Sequence, residues 1–539
     1  MSNSGGDRLL EMRNIRIEGF ADEKWNPIIR GVDLSLDRGE VLGLIGESGA
    51  GKSTLGKASM GYTQPGCRIS GGTIVFDGID LRELSSSRLQ RIWGSRIAYV
   101  AQSAAASFNP AHKLIDQTVA AAVREGISSD STARDDARKL YASLQLPEPG
   151  SIGERYPHQV SGGQLQRVMT AMALSPRPDL IIFDEPTTAL DVTTQVEVLG
   201  AIRDIVENFN TAAIYITHDL AVVAQMADRI KVLRYGNEVE EADTREMLAE
   251  PKMDYTKSLW AVRTLRKEAK SSAKNVLDIE NVDASYGGSA KVLHDVSIRL
   301  PLGRTVAIVG ESGSGKSTAA RVVTGLLPAS NGRVLFNGDQ LPPDIKNRSK
   351  EQLRRIQMIY QMADTAMNPR QTVGEIIGRP LEFYHGLKGK EKEAKVFELL
   401  ESIELNEEFY DRLPGELSGG QKQRICISRA LAAEPDVIIC DEVTSALDQI
   451  VQEGILQLLM RQQRERGISY LFITHDIATV EAISDEIVVM LNGRVVEQGI
   501  KDEVLSPPHP EYTEKLLKSV PEMDPCWLDR VFQEKSIAV

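Results

Sequence analysis

GESGAGKST occupies Gly46–Thr54, and GESGSGKST occupies Gly310–Thr318. Each follows a short apolar run (VLGLI at Val41–Ile45, TVAIV at Thr305–Val309) and precedes a stretch that favours helix. A strand that breaks at glycines and re-forms as a helix turns backbone N–H groups and a positive helix end toward one point. That arrangement cradles phosphate oxygens. The reading assigns Gly46, Ser48, Gly49, Gly51, Lys52, Ser53 and Thr54 to one bound nucleotide. Gly310, Ser312, Gly313, Gly315, Lys316, Ser317 and Thr318 serve a second. Lys52 and Lys316 are expected to reach the β- and γ-phosphates, and the Ser53 and Ser317 hydroxyls to bind Mg²⁺.

Working outward, the repetition continues in the same order. VSGGQLQR at Val160–Arg167 returns as LSGGQKQR at Leu417–Arg424, and LIIFDEPTTALD at Leu180–Asp191 as VIICDEVTSALD at Val437–Asp448. YITHD at Tyr215–Asp219 returns as FITHD at Phe472–Asp476. A whole domain is duplicated. The expected division is a first domain at 1–262, a polar Ser/Lys-rich linker at 263–275 read as exposed, and a second domain with a C-terminal tail at 276–539. Apolar strand runs alternating with helical stretches imply a mostly parallel sheet flanked by helices. The more helical stretches near 110–160 and 370–415 are expected to form a separate helical subdomain in each half.

Asp184-Glu185 and Asp441-Glu442 each close an apolar run. Paired carboxylates at the mouth of a buried strand are costly unless a cation faces them, and Mg²⁺ supplies one. The aspartates suit the metal; the glutamates are placed to orient or deprotonate an attacking water. His218 and His475 follow β-branched strands and are expected to hydrogen-bond the γ-phosphate. Gln102 and Gln361 follow IAYVA and IQMIY and are candidate ligands for Mg²⁺ and water. Ser161-Gly162-Gly163-Gln164 and Ser418-Gly419-Gly420-Gln421 open helical sequence and make a second phosphate-binding end in each half. Two such ends but one lysine per half suggest that the second end serves the nucleotide held by the other half.

Hydrophobic residues make up 42% of the 539 and charged ones 26%, the balance of a globular chain that buries real cores. No run approaches the ~18 apolar residues of a spanning helix. MSNSGGDR does not resemble a secretory signal, so a cytoplasmic location is expected. The net charge of −13 argues against a nucleic-acid partner. Four cysteines without C-x-x-C spacing suggest no metal site.

Together these motifs resemble the ABC ATPase family: its phosphate loop, its SGGQ signature, its Q-loop at Gln102 and Gln361, its acidic motif, its ALD segment and its switch histidines. The resemblance covers nearly the whole chain. It implies an α/β fold of two P-loop NTPase cassettes, each with a mostly parallel core sheet, an antiparallel β region and a helical subdomain. It further implies ATP sandwiched at two composite sites. One would use Lys52, Ser53, Gln102, Asp184, Glu185 and His218 with Ser418–Gln421. The other would use Lys316, Ser317, Gln361, Asp441, Glu442 and His475 with Ser161–Gln164.

SFNP at Ser107–Pro110, AMNPR at Ala366–Arg370 and HPEYTEKLLKSVPEMDP at His509–Pro525 resemble segments of peptide/nickel-type importers. That group implies two membrane permease subunits, a solute-binding protein beyond them, and a peripheral place on the cytoplasmic face of the inner membrane. Phe108 and Met367 look suited to a groove that receives a permease helix. Peptides, opines, oligosaccharides, glutathione and nickel all stay open as solutes. The rival reading is a soluble double cassette acting on ribosomes or nucleic acid. The family's adenine-stacking aromatic matches Tyr286, whereas its counterpart by register is Gly19, with Phe20 or Trp25 as substitutes.

Overall fold

A computed structural model describes residues 8–21, 23–187, 192–261, 266–269, 274–287, 290–445 and 447–537. The ALD positions 189–191 and 446, and linker residues 263–265 and 270–273, lie outside them. The chain forms two compact units. One comprises Met1–Trp260 with Pro521–Val539, the other Ala261–Val520.

The strands of the first unit are, in chain order, β1 (Arg8–Ala21), β2 (Lys24–Asp37), β3 (Val41–Ile45), β4 (Cys67–Phe76), β5 (Ile79–Asp80), β6 (Ile97–Val100), β7 (Leu180–Asp184), β8 (Ala212–Ile216), β9 (Arg229–Arg234) and β10 (Asn237–Asp243). An antiparallel sheet runs β2-β1-β4-β5. The core sheet runs β10-β9-β3-β8-β7-β6 and is parallel except at its β9–β10 edge. All five residues of β3, β7 and β8 are buried. Their unbroken apolar runs are what a parallel strand covered on both faces requires. The phosphate loop and the acidic pair leave the C-terminal ends of β3 and β7, where ligands of open parallel sheets sit.

The second unit repeats the plan with β11 (Asn275–Ser285), β12 (Lys291–Pro301), β13 (Thr305–Val309), β14 (Asn331–Phe336), β15 (Asp339–Gln340), β16 (Ile356–Ile359), β17 (Val437–Asp441), β18 (Ser469–Ile473), β19 (Glu486–Leu491) and β20 (Arg494–Ile500). Its sheets run β12-β11-β14-β15 and β16-β17-β18-β13-β19-β20. The helical stretches are present in both halves. Leu114–Arg124 and Asp130–Ser143 are tied by Thr118 Oγ1 and buried Tyr141 Oη at 2.6 Å. Val373–Pro380 and Gly389–Ser402 are their counterparts.

Three sequence expectations are revised. The last segment, expected to stay with the second half, is compact with the first unit, because Trp527 and Leu528 sink into that unit's apolar core. The linker is not wholly exposed. Lys267 Nζ reaches the fully buried Asp485 carboxylate at 2.6 Å and Gln463 Oε1 at 2.8 Å, since a buried charge needs an opposite partner. Phe108 and Met367 do not line a surface groove. They are 6% and 4% exposed and belong to the cores of their helical regions, so aspartate at either position would act on folding before docking.

Candidate active site

At the end of β3 the chain turns at Gly46, where φ is +144° and a Cβ would stand 2.1 Å from the Leu233 carbonyl oxygen. Gly310 repeats this against Met490 at 2.1 Å. Only glycine fits either place. The turn delivers Lys52 and Lys316 to the first positions of helices Lys52–Ala58 and Lys316–Thr324. Both side chains are buried and fold back over their own loop. Lys52 Nζ donates to Gly46 O at 2.6 Å and Glu47 O at 3.0 Å; Lys316 Nζ donates to Gly310 O and Glu311 O, both at 2.8 Å. An ammonium parked on carbonyl oxygens inside an N–H-lined loop is poised to exchange them for phosphate.

The next residue joins the loop to β7 or β17. Ser53 Oγ donates to Asp184 Oδ1 at 2.8 Å, and Ser317 Oγ to Asp441 Oδ1 at 2.9 Å. Burial raises the Asp441 pKa above the ordinary carboxylate range, partly offset by the bond from Ser317. Each glutamate is then gripped from two sides. Gln102 Nε2 donates to Glu185 Oε2 at 2.8 Å, and His218 Nδ1 lies 3.1 Å from Oε1. In the second unit Gln361 Nε2 reaches Glu442 Oε2 at 2.6 Å, and His475 Nδ1 lies 3.6 Å from Oε1. Burial depresses both imidazoles, but the facing glutamates outweigh it and raise both pKa values. His475 in turn lowers Glu442 below its usual value.

The sequence-assigned residues of each half thus converge, except for the signature. Ser161 Oγ accepts from Gln164 N at 3.3 Å, while Gln164 Oε1 accepts from Ser161 N at 3.1 Å. Ser418 and Gln421 do the same at 3.3 and 2.9 Å. These are capping boxes at the starts of helices Gly162–Leu174 and Gly419–Leu431, and S-x-x-Q is their sequence signal. Tyr286 leans on the phosphate-loop helix, its hydroxyl 3.3 Å from Thr318 Oγ1 and accepting from Arg321 Nη1 at 3.1 Å. A Cβ at Gly19 would meet Ile28 Cδ1 at 2.8 Å, so any side chain there would first have to displace the tip of Ile28. Exposed Phe20 instead pairs with Trp25 at 5.3 Å, with Arg68 over the indole at 4.1 Å.

Two features escaped the sequence reading. Glu185 and Glu442 stand at φ of +51° and +49°, a left-handed backbone uncommon for a non-glycine residue. Glu185 N–H is held by Ile216 O and Glu442 N–H by Ile473 O. Tyr99 Oη donates to Asp184 Oδ2 at 2.5 Å, whereas Met358 occupies the matching place in β16 and has no such donor. Burial and the adjacent Asp184 carboxylate push the Tyr99 phenol pKa far up, so it stays protonated.

A profile of the ABC transporter family matches residues 29–188 and again 293–445. The chain belongs to that family. It is an ATP-binding, ATP-hydrolysing subunit, and residues 496–537 match the C-terminal region of oligopeptide/dipeptide transporters. It is 36% identical over 565 aligned residues to the glutathione import ATP-binding proteins GsiA of Escherichia coli O157:H7 and Shigella dysenteriae serotype 1. Those alignments cover 96% of this chain and 90% of each relative. Among solved structures, cbiO1 of Clostridium perfringens, part of an ABC transporter complex, matches with 30% identity and a TM-score of 0.40, over 43% of this chain and 90% of its own.

Proposed function

We propose that this ABC ATPase hydrolyses ATP at two composite sites and drives import of a peptide or a related small solute through two membrane permease subunits. The observation that carries the reading is the doubly gripped glutamate, Glu185 between Gln102 and His218, built again as Glu442 between Gln361 and His475. On ATP binding, Lys52 and Lys316 leave their carbonyls for the β- and γ-phosphates. Gln102 and Gln361 then release a carboxylate oxygen, which is free to accept a proton from water, and the histidine holds the other oxygen in place. The paired oxygens of Ser53 with Asp184, and of Ser317 with Asp441, are hard donors that fit Mg²⁺, and Gln102 and Gln361, which contact the adjacent glutamates, would join them. Mg²⁺, when bound, neutralises phosphate charge. Ser418–Gln421 would complete the first site and Ser161–Gln164 the second.

No helix among the described residues is long and apolar enough to cross a membrane. The relatives' import ATP-binding names and the matched C-terminal region support a chain docked peripherally on permeases at the cytoplasmic face, with a solute-binding protein on the far side. The relatives are importers of glutathione, a tripeptide, by name, which makes it the first solute to test. In transporter reconstituted with this chain, Glu185→Gln and Glu442→Gln are each expected to cut turnover by roughly 10²–10⁴-fold, the loss of a general base. The double variant should retain ATP unhydrolysed and accumulate no solute. A single variant with wild-type turnover would make its site non-catalytic and overturn the two-site reading.

A further inference from the structure

The helix that follows His218 carries a buried amide with no role in ATP chemistry. Gln225, 5% exposed, lies in helix Leu220–Met226, whose N-terminal cap is Asp219. Its Nε2 donates to the backbone carbonyls of Glu522 and Asp524, both at 2.8 Å, and its Oε1 accepts from Leu528 N–H at 3.1 Å. One side chain thereby satisfies three main-chain groups of the C-terminal segment. A buried amide left without those partners is costly, so the match is specific to them.

The neighbouring helix, Val192–Phe209, completes the seat. Arg203 Nη2 pairs with Asp529 Oδ1 at 2.6 Å. Gly200 leaves room for Phe532, since a Cβ there would stand 2.3 Å from the ring. Trp527 and Leu528, 4% and 0% exposed, join the apolar cluster of Val198, Ile202, Val222 and Met226. The segment is also braced within itself. Cys526 N–H caps onto Asp524 Oδ1 at 3.0 Å, and Arg530 pairs with Glu522 at 2.9 Å.

The duplicated half lacks these three side-chain choices. At the spacing that separates His218 from His475, the positions of Gly200, Arg203 and Gln225 hold Gln457, Met460 and Ala482. We propose that the first cassette carries a receptor for the chain's own C-terminal segment, Pro521–Gln533, and that this segment holds the helix behind His218 in place. The first ATP site then depends on residues that follow the second cassette. That last step rests on the role given to His218 under the proposed function; the docking itself does not.

Hydrogen–deuterium exchange separates the two. In the full chain cut after Val520, amides of Leu220–Met226 should exchange at least about tenfold faster, while those of Ile477–Ile483 stay at the wild-type rate. A synthetic peptide of residues 521–539 should restore protection. Gly200→Ala in the intact chain provides a second variant. Alanine favours helix, so faster exchange there would come from the blocked Phe532 seat and not from lost propensity. Unchanged exchange at Leu220–Met226, an equal rise at Ile477–Ile483, or no protection by the peptide would each overturn the proposal. Exchange needs no ATP turnover, so an inactive first site would leave this test standing.

Discussion

Tyr99→Phe removes one oxygen and keeps the ring. The lost contact is the 2.5 Å hydrogen bond from Tyr99 Oη to Asp184 Oδ2, on a carboxylate only 4% exposed. A hydrogen bond to a charged, buried group contributes about 1.5–3 kcal/mol, because its loss leaves the charge under-solvated. For a domain of this size each kcal/mol shifts Tm by roughly 2–4 °C, so the transition of the first unit should fall by about 3–12 °C. If Asp184 holds Mg²⁺ as proposed, a non-hydrolysable ATP analogue with Mg²⁺ would set a cation opposite the carboxylate and the deficit should shrink. Met358→Leu, at the matching position of the second unit, conserves volume and touches no donor to Asp441; it should cost below about 1.5 kcal/mol. Differential scanning calorimetry with and without nucleotide measures all four quantities. An unshifted first transition, or a deficit that is the same size with nucleotide bound, would show that Tyr99 does not hold the Asp184 carboxylate in this way.

Two further outcomes are expected. Tyr286→Ala should weaken nucleotide at the second site by about 1–3 kcal/mol, the range of an aromatic stack on a base, and fluorescent-nucleotide titration of the full chain measures it; undiminished affinity would remove Tyr286 from the site. The His475–Glu442 pair should stabilise the fold in a bounded pH window. A raised histidine pKa gives stabilisation that is full below the unfolded value near ~6.5 and lost as pH climbs through the folded one, while a lowered glutamate pKa gives stabilisation lost as pH falls through its folded value. Denaturant unfolding of wild type and His475→Gln across pH should therefore show a gap that closes on the alkaline side, and a pH-independent gap would contradict the pairing.

Much of the site was legible because its parts are local. A loop of glycines between strand and helix binds phosphate through its own backbone, so GESGAGKST and GESGSGKST carry that reading without any neighbour. The acidic pairs, the glutamines and the histidines were legible because each ends an apolar run, and strand ends of a parallel sheet gather on one edge. Duplication made each assignment twice. The sequence by itself thus determined the fold class, the two cassettes, the residues at each phosphate loop and the presence of both glutamates.

Tertiary structure decided what depends on partners far apart in the chain. That Glu185 is held on one oxygen by Gln102 and on the other by His218 follows from the sheet order, which sets β6, β7 and β8 side by side. Burial of Phe108 and Met367 followed from packing of the helical region, which short-range pattern does not encode. Lys267 looked like one more solvated linker lysine, and only the fold sets Asp485 beside it. Tyr99 read as an ordinary strand residue until the adjacent strand brought Asp184 to its hydroxyl. The C-terminal segment departs furthest from chain order. Sequence proximity assigned it to the second cassette, whereas a glycine gap, an arginine and one buried amide assign it to the first. Burial and complementarity act through space, so a segment belongs to the surface that satisfies its backbone and covers its tryptophan, however distant that surface is along the chain.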